Sequence, residues 1–366
     1  MMLCPAEPTW FPAIATTVVA VGLSYGLGQL IKRIKVVDAP DGDRKTQLAP
    51  VPRLGGLAIF GAFILTAIVL LNGSLFGTCY STTGFLNDTM STSPFSLVFP
   101  LVAIFAFLVG LLDDIISLSS RTKLSLLFLA CFAPLLIYGA PIVFTTPWGD
   151  LSSPTLMIIG SGLWLLVFTN ATNFMDGSNG LSVGCIGIML AGLISAPIEF
   201  SGWSSCGYTQ ELIYQLGVFA FIGAIIGFLI HNLGGKLYAG DAGALGLGAL
   251  FASLGLVSGL EVWTVATLAL PFLVDVLMTL IWRAKHKRSW LEAHLDHAYQ
   301  RLRKNGWSHL ETAILYWGLT ATCAAAAVIA AKAGGEAPFI VFWTLCLAGV
   351  ALWTAHRRSQ SADELQ

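Results

Sequence analysis

The sequence contains few charged residues. Of its 366 residues, 19 are Lys or Arg and 20 are Asp or Glu, so charged side chains make up 11% of the chain. Soluble globular domains carry about 25% charged residues. This deficit excludes a soluble domain, and the net charge of −1 gives no reason to expect a nucleic-acid polymer as a partner. The 56% share of hydrophobic residues indicates an integral membrane protein instead.

Three further features are missing. The seven cysteines are scattered without a Cys-x-x-Cys spacing, so neither a zinc site nor a disulfide framework is predicted. No basic region precedes the first apolar stretch and no small-residue cleavage site follows it, which predicts a retained span and not a signal peptide. The chain also has no internal repeat of the kind that is common in transporters.

About eleven apolar segments approach the roughly 20 residues that a membrane span requires. They cover residues 11–31, 55–73, 96–112, 124–143, 153–170, 181–198, 213–231, 243–260, 262–282, 311–332 and 338–355. All Lys and Arg residues except Lys332 fall in alternate gaps, and such an excess marks the cytoplasmic side. The sequence therefore predicts an all-α membrane protein of a single polytopic domain, 1–366, with its N-terminus outside and its C-terminus in the cytoplasm.

Acidic and amide residues gather in the predicted cytoplasmic loops. Asp113 and Asp114 end the third apolar segment, where a carboxylate close to hydrocarbon is costly and usually functional. A pair of solvated loop acids is the alternative. Asn170, Asn173 and Asp176 recur every three residues, so they would share one face of a continuing helix. Such a row suits sugar hydroxyls, phosphate oxygens or a hard cation, although a polar connector would have a similar composition.

Two later motifs add to this set. Gly240-Asp241-Ala-Gly243 would hold an Asp at a helix N-terminus, which suits Mg²⁺ bound together with phosphates, but the motif alone also fits a plain turn. His294-x-x-His297 lies in a segment, 283–310, that is predicted to form a short amphipathic helix at the interface. The two imidazoles fit hydrogen bonding to a pyrophosphate, zinc binding or a structural role, and no third zinc ligand is suitably spaced.

Two isolated features complete the pattern. The first cytoplasmic loop, 38–56, combines Arg44, Lys45 and Arg53 with prolines and glycines. These basic residues either bind an anionic headgroup or only determine the membrane orientation of the neighbouring spans. Asp275 lies within the ninth apolar segment and is expected to pair inside the bundle or to line a cavity.

The order of these motifs resembles the polyprenyl-phosphate N-acetylhexosamine-1-phosphate transferases, a superfamily within glycosyltransferase family 4. The resemblance runs from Asp38 to about Gln300. It rests on the Pro-x-Pro-Arg-x-Gly-Gly-like loop, the Asp-Asp span end, Asn-Phe-Met-Asp-Gly-x-Asn-Gly, Asn232 with Gly-Asp-x-Gly, and the histidine loop. It is closer to the branch that initiates O-antigen synthesis than to the peptidoglycan branch. The sequence departs from the usual pattern at Gln47, Asn179, Ala244 and Gly234-Gly235, which indicates an altered sugar or nucleotide pocket.

The resemblance implies an active site made from five cytoplasmic loops at about 32–54, 113–123, 170–180, 232–242 and 283–310. It implies catalytic roles for Asp113, Asp114, Asp176, His294 and His297. It implies substrate contacts from Arg44, Lys45, Arg53, Lys123, Asn170, Asn173, Asn179, Asn232 and Tyr238. Asp241 and Asp176 are the implied ligands of Mg²⁺, with Mn²⁺ as the alternative metal.

The implied reaction is transfer of an N-acetylhexosamine 1-phosphate from a UDP-sugar to undecaprenyl phosphate, with release of UMP, at the cytoplasmic face of a bacterial inner membrane. It would be the first membrane step of a surface polysaccharide such as O-antigen. One alternative is a phospho-N-acetylmuramoyl-pentapeptide transferase of peptidoglycan synthesis, and another is a lipid-linked sugar flippase. The identity of the sugar and the presence of a homodimer stay open.

Overall fold

A computed structural model describes residues 10–39, 49–71, 94–140, 144–198, 207–290, 292 and 294–363. Its helices are α1 Trp10–Ile31, α2 Gly55–Leu71, α3 Pro94–Ile116, α4 Ser120–Tyr138, α5 Pro154–Phe174, α6 Leu181–Ser195, α7 Gly207–Asn232, α8 Gly240–Val257, α9 Val262–Leu268, α10 Leu270–Lys285, α11 Ala298–Lys304, α12 His309–Ala333 and α13 Ala337–Asp363. Strands β1 Val37–Asp38 and β2 Val51–Pro52 pair antiparallel.

The prediction of an all-α membrane protein is confirmed. Ten of the eleven predicted apolar segments each coincide with one helix, and the ninth coincides with the pair α9 and α10. Seven of the described helices are long and apolar enough to cross a membrane, or eight if α9 and α10 form one span, while α2 and α6 are shorter apolar helices. The count of eleven spans and the orientation remain predictions.

The ninth apolar segment, predicted as one span, consists of two helices with a sharp bend between them. Helices α9 and α10 meet at an angle of 79°. Pro271 occupies the first turn of α10. Because proline lacks a backbone N–H and its ring clashes with the preceding turn, α9 cannot continue through this position. The bend leaves α10 as a separate helix beside the site described below.

Helix α8 lies at the centre of the bundle, and 78% of its residues are buried. Small residues allow its N-terminal end to approach the neighbouring helices closely. A Cβ added to Gly110 of α3 would lie 2.3 Å from the carbonyl oxygen of Asp241, and one added to Gly56 of α2 would lie 2.4 Å from the amide nitrogen of Gly243. No side chain fits at such distances, so these glycines permit α2 and α3 to pack on the start of α8.

Two local predictions are wrong. Helix α5 ends at Phe174, so Asp176 lies beyond the helix and does not share a helical face with Asn170 and Asn173. The segment 283–310 is not a continuous amphipathic helix, because α10 ends at Lys285 and helical structure resumes only in α11. The described residues between these helices are irregular, and both histidines of the His-x-x-His motif lie there.

Candidate active site

A cavity of about 920 Å³ opens where α3, α5 and α7 end and α4 and α8 begin. It brings together most of the predicted site residues: Arg53, Asp114, Lys123, Asn170, Asn173, Asp176, Asn179, Asn232, Tyr238, Asp241, His294 and His297. Asp113 does not line the cavity, but it forms an ion pair with Lys123, and Lys123 does line it. Arg44 and Lys45 lie outside the described residues.

Lys123 joins two of the acidic motifs. Its ammonium group donates a hydrogen bond to Asp113 Oδ2 at 2.8 Å and another to Asp241 Oδ2. Asp113 Oδ1 accepts the backbone N–H of Leu118 at 2.6 Å, which fixes this carboxylate at the turn between α3 and α4. One cation therefore lies between the carboxylates of α3 and α8.

Asp114 caps the N-terminus of α8. Its Oδ1 accepts the backbone N–H of Asp241 at 3.1 Å, and its Oδ2 accepts that of Ala242 at 3.0 Å. A carboxylate in this position satisfies amides that have no partner within the helix and interacts favourably with the helix dipole. Gly240 makes the close approach possible, since it has φ +71° and an added Cβ would lie 2.0 Å from the carbonyl oxygen of Arg53. Both oxygens of Asp114 thus fix the first turn of α8, which carries Asp241.

The amide row meets the same acid. Asn173 Nδ2 donates to Asp241 Oδ1 at 3.1 Å, whereas Asn170 Nδ2 donates to the carbonyl of Leu166 within its own helix. Asp176 Oδ1 accepts the hydroxyl of Ser182. Burial, together with the negative charges of Asp241 and Asp114, raises the pKa of Asp176 to about 7. A cation close to Asp176 would favour its ionised form.

Asn232 connects two loops of the wall. Its Oδ1 accepts the N–H of Gly180 at 2.6 Å and its Nδ2 donates to the carbonyl of Leu237 at 3.0 Å. Both polar groups of this buried side chain are therefore engaged within the protein. Tyr238 is half-buried in the wall and pairs through its backbone N–H with the carbonyl of Pro52 at 2.8 Å.

The two histidines of the irregular segment are largely buried. The side chain of His294 is 7% exposed and that of His297 is 2% exposed. Among the described residues, neither His294 Nε2 nor either ring nitrogen of His297 has a hydrogen-bond partner. Burial, followed by the neighbouring His297 and Arg283, lowers the pKa of His294 to about 4, so this imidazole is neutral at pH 7.

Sequence reasoning missed several residues that line the cavity: Asp38, Ser178, Arg303, Lys304 and His309. His309 Nδ1 lies 3.0 Å from Ser178 Oγ and 3.2 Å from the backbone nitrogen of Asn179, and its Nε2 lies 2.9 Å from an Arg303 nitrogen. Arg303 and Lys304 read in the sequence only as positive charges that set the topology. His309 begins α12 and forms no spaced motif, so only the fold reveals it.

One side of the cavity is apolar. It is lined by Leu124 of α4, by Leu166 and Val167 of α5, and by Val276, Leu277 and Leu280 of α10. Several of these side chains are at helix faces that are not covered by the protein, as the 41% exposure of Leu277 shows. The cavity thus combines a polar half with an apolar half that is built from membrane-spanning helices.

The donor set is compatible with a divalent cation that a ligand helps to hold. The described residues contain no group of three or more His, Cys, Asp or Glu placed to bind a metal ion by themselves. Mg²⁺, however, is usually held by one or two carboxylates together with phosphates and water. The Lys123 ammonium between Asp113 and Asp241 shows that a positive charge is accommodated at this position. Asp241, Asn173 and Asp176 supply the hard oxygen donors that Mg²⁺ prefers.

The fold and cavity define a multi-pass membrane protein with a polar site at one end of its helical bundle. Residues 96–259 match the family model described as glycosyl transferase family 4. A phospho-N-acetylmuramoyl-pentapeptide transferase of Bacillus pumilus is 25% identical over 292 residues, which cover 73% of this chain and 79% of the relative. A protein of Saccharolobus solfataricus, provisionally named UDP-N-acetylglucosamine–dolichyl-phosphate N-acetylglucosaminephosphotransferase, is 27% identical over 350 residues, 90% of this chain and 96% of the relative.

The chain is thus similar to glycosyl transferase family 4 over residues 96–259 and to relatives that are named as transferases. The matched region, 96–259, contains the Asp-Asp pair, the asparagine row and Asp241.

Proposed function

We propose that the protein transfers an N-acetylhexosamine 1-phosphate from a UDP-sugar to undecaprenyl phosphate and releases UMP at the cytoplasmic face of a bacterial membrane. The observation that carries this proposal is the composition of the cavity, in which an acid–amide–lysine cluster adjoins an apolar wall. A water-soluble nucleotide sugar and a membrane lipid are the two substrates that such a divided cavity suits.

The apolar wall is suited to the isoprenoid chain of the acceptor. Leu124, Leu166 and Leu277 come from three different helices and line the same cavity as the polar cluster. Lys123 lines the cavity next to Leu124 in the sequence, so we propose that its ammonium binds the lipid phosphate. An acceptor held in this way has its phosphate beside the acidic cluster and its hydrocarbon among apolar side chains.

The chemical step needs no strong base. The second pKa of a phosphate monoester is about 6, so the lipid phosphate is largely dianionic at neutral pH. One of its oxygens attacks the phosphorus that bears the sugar, the bond from this phosphorus to the bridging oxygen breaks, and UMP leaves with the bond electrons. Because both oxygens of Asp114 bind backbone amides, we assign Asp114 to positioning Asp241 and not to proton removal.

The protein's contribution is to bind and orient two polyanions, as is usual for phosphoryl transfer. Asp241, with Asp176 and Asn173, would hold Mg²⁺ or Mn²⁺, which when bound supplies charge neutralisation to the diphosphate. The imidazoles of His294 and His297 have ring nitrogens without a protein partner and line the same cavity, so we propose that they hydrogen-bond phosphate oxygens of the donor. Tyr238 is the candidate to stack on the uracil, and Asn170, Asn179, Asn232 and Arg53 complete the proposed donor pocket.

A second candidate function is phospho-N-acetylmuramoyl-pentapeptide transfer, and the names of the relatives from Bacillus pumilus and Bacillus subtilis favour it. We prefer a role in the initiation of a surface polysaccharide because the predicted eleven spans with an outside N-terminus resemble that branch. The His-x-x-His-Ala-Tyr-Gln string resembles the subgroup that handles N-acetylated deoxy-hexosamines. A flippase is disfavoured because these relatives are named as transferases.

A donor panel distinguishes the candidates. Purified protein would be given undecaprenyl phosphate, Mg²⁺ and, in separate reactions, UDP-N-acetylglucosamine, UDP-N-acetylgalactosamine, deoxy-N-acetylhexosamine donors and UDP-N-acetylmuramoyl-pentapeptide, and UMP release would be measured. The proposal expects release with one of the simple hexosamine donors. Release only with the pentapeptide donor would support the second candidate, and no release by folded protein with any donor would refute both.

A further inference from the structure

Asp275 is an unusual residue within the membrane-spanning part of the fold. It lies in α10, its exposure is 2%, and it was absent from every motif that suggested a site. A carboxylate in the interior of a helical bundle is costly unless it is paired and fully hydrogen-bonded. Its partners therefore indicate why it is there.

Five protein donors surround this carboxylate. Oδ1 accepts the N–H of Ala298 at 2.8 Å and lies 3.3 Å from the Thr279 hydroxyl and 3.4 Å from Trp353 Nε1. Oδ2 accepts the N–H of Tyr299 at 3.3 Å and the hydroxyl of Tyr316 at 2.7 Å. So many donors to one side chain hold an ionised carboxylate in a single orientation.

The backbone amides among these donors belong to the first turn of α11. His297 is the N-cap of that helix, so the same carboxylate that fixes the start of α11 also fixes the residue before it. The Nδ1 atom of His297 lies 3.6 Å from Asp275 Oδ1. His297 is thus a group that can carry a positive charge within ion-pair distance of Asp275.

The other ring nitrogen of His297 is available to a ligand. The ring lines the large cavity, and its Nε2 has no hydrogen-bond partner among the described residues. Phe174 stacks against the ring at a centroid distance of 5.7 Å, and His294 lies 5.0 Å away, so the ring is confined on both sides. An imidazole with an anion at one nitrogen and a cavity at the other is oriented in the way that carboxylates orient catalytic and metal-binding histidines.

We propose that Asp275 is a positioning residue of the active site, which fixes His297 with its N–H on Nδ1 and presents Nε2 to a phosphate oxygen of the substrate. The inference rests on the proposed function for the identity of the ligand. The pairing of Asp275 with His297 does not depend on that identity. Loss of the carboxylate would release the ring without removing any group that contacts the substrate.

The first experiment reads the pair directly. The chain has six histidines, and histidine-selective ¹⁵N labelling in bilayers, with H297Q to assign the signal, reports the tautomer of His297. We expect the Nδ1–H tautomer in the wild-type protein and a changed tautomer or a mixture in D275N. The matched control is Y316F, which removes one hydrogen bond from the same carboxylate and keeps its charge, and which we expect to leave the His297 signal unchanged. An unchanged signal in folded D275N would overturn the proposal.

The second experiment reads the consequence for turnover. With the best donor from the panel, D275N is expected to lower kcat by roughly tenfold to a hundredfold, the usual cost of losing an outer partner that orients a histidine ligand, while KM for undecaprenyl phosphate changes little. The D275N/H297Q double variant should be no slower than H297Q alone. Additive losses would overturn the assignment. If wild-type protein releases no UMP, the proposed function fails, whereas the ¹⁵N signal still decides whether Asp275 orients His297.

Discussion

Asp114 Oδ1 accepts the backbone N–H of Asp241 at 3.1 Å, although 127 positions separate the two residues in the chain. This contact joins the end of α3 to the start of α8 and aims the side chain of Asp241 into the cavity. Asp114 therefore has a structural role, whereas its neighbour Asp113 forms an ion pair with Lys123. The two adjacent aspartates should therefore respond differently to substitution.

The first prediction concerns this difference. D114N replaces one acceptor oxygen by an amide NH₂ that faces a backbone N–H, and it also removes the charge that caps α8. The unpaired buried donor should cost about 1–3 kcal/mol of stability, and D113N, at a more exposed carboxylate, should cost less. Thermal unfolding of both variants in the same detergent measures the difference, and equal midpoints would contradict the capping role of Asp114.

The second prediction concerns Lys123. Its ammonium pairs with two carboxylates, so K123M should leave Asp113 and Asp241 free to bind a divalent cation when no substrate is present. We expect Mn²⁺ to bind K123M at least about tenfold more tightly than wild type, equivalent to about 1.4 kcal/mol, and turnover to fall because the acceptor phosphate loses its cation. Titration followed by electron paramagnetic resonance measures the affinity. R288M, at an exposed arginine, is the control. Weaker Mn²⁺ binding by K123M than by the wild type would refute the idea that the Lys123 ammonium and a divalent cation compete for the same two carboxylates.

The third prediction concerns pH. The folded protein holds the pKa of His294 at about 4, below the ordinary histidine value of 6.5, so the unfolded chain binds an extra proton between these values. Stability from this residue is thus present above about pH 6.5 and is lost as the pH falls toward 4. The unfolding midpoint of the wild-type protein should decrease from pH 7 to pH 5, and that of H294Q should decrease less. Parallel decreases in the two proteins would contradict the burial of a neutral His294.

The fourth prediction concerns the C-terminal helix. The guanidinium of Arg357 lies 3.5 Å from the ring centroid of Trp282 and donates to the carbonyl of Asp296 at 2.7 Å, so α13 supports the segment that carries both histidines. R357A should lower stability, since a buried hydrogen bond from a charged group contributes about 1.5–3 kcal/mol, and should lower turnover because the histidine-bearing segment loses its support. R357K should recover only part of it, because lysine cannot stack as a planar group. R358A, at the exposed neighbour, should be neutral, and a neutral R357A would refute the support by α13.

The sequence alone predicts the helices and the side of the bundle on which the polar residues meet, because long apolar runs and the gaps between them are local signals. It does not predict where the chain stops being helical. Asp176 leaves the helical row because α5 ends at Phe174. The start of α11 is bound by Asp275 and the segment before it by Arg357, and both of these residues are distant in sequence.

Residues that act through tertiary contacts were also missed. His309 and Arg303 form no spaced motif, and their contact with the loop at Asn179 exists only because α11 and α12 fold back over it. Asp275 was expected to pair inside the bundle or to line a cavity, and its pairing is confirmed, but its partner His297 lies 22 residues further along the chain, outside any helical spacing. The bend at Pro271, in contrast, had a local signal in the proline itself.

The most direct test of the central claim follows one phosphorus atom. UDP-N-acetylhexosamine labelled with ³²P in the phosphate that bears the sugar would be incubated with undecaprenyl phosphate, Mg²⁺ and either wild-type protein or D241N. We predict that the wild-type protein moves the label into a lipid-extractable diphosphate sugar in amounts equal to unlabelled UMP, and that D241N remains folded and moves almost none. Label that stays with the nucleotide, or equal transfer by D241N, would contradict the proposed reaction.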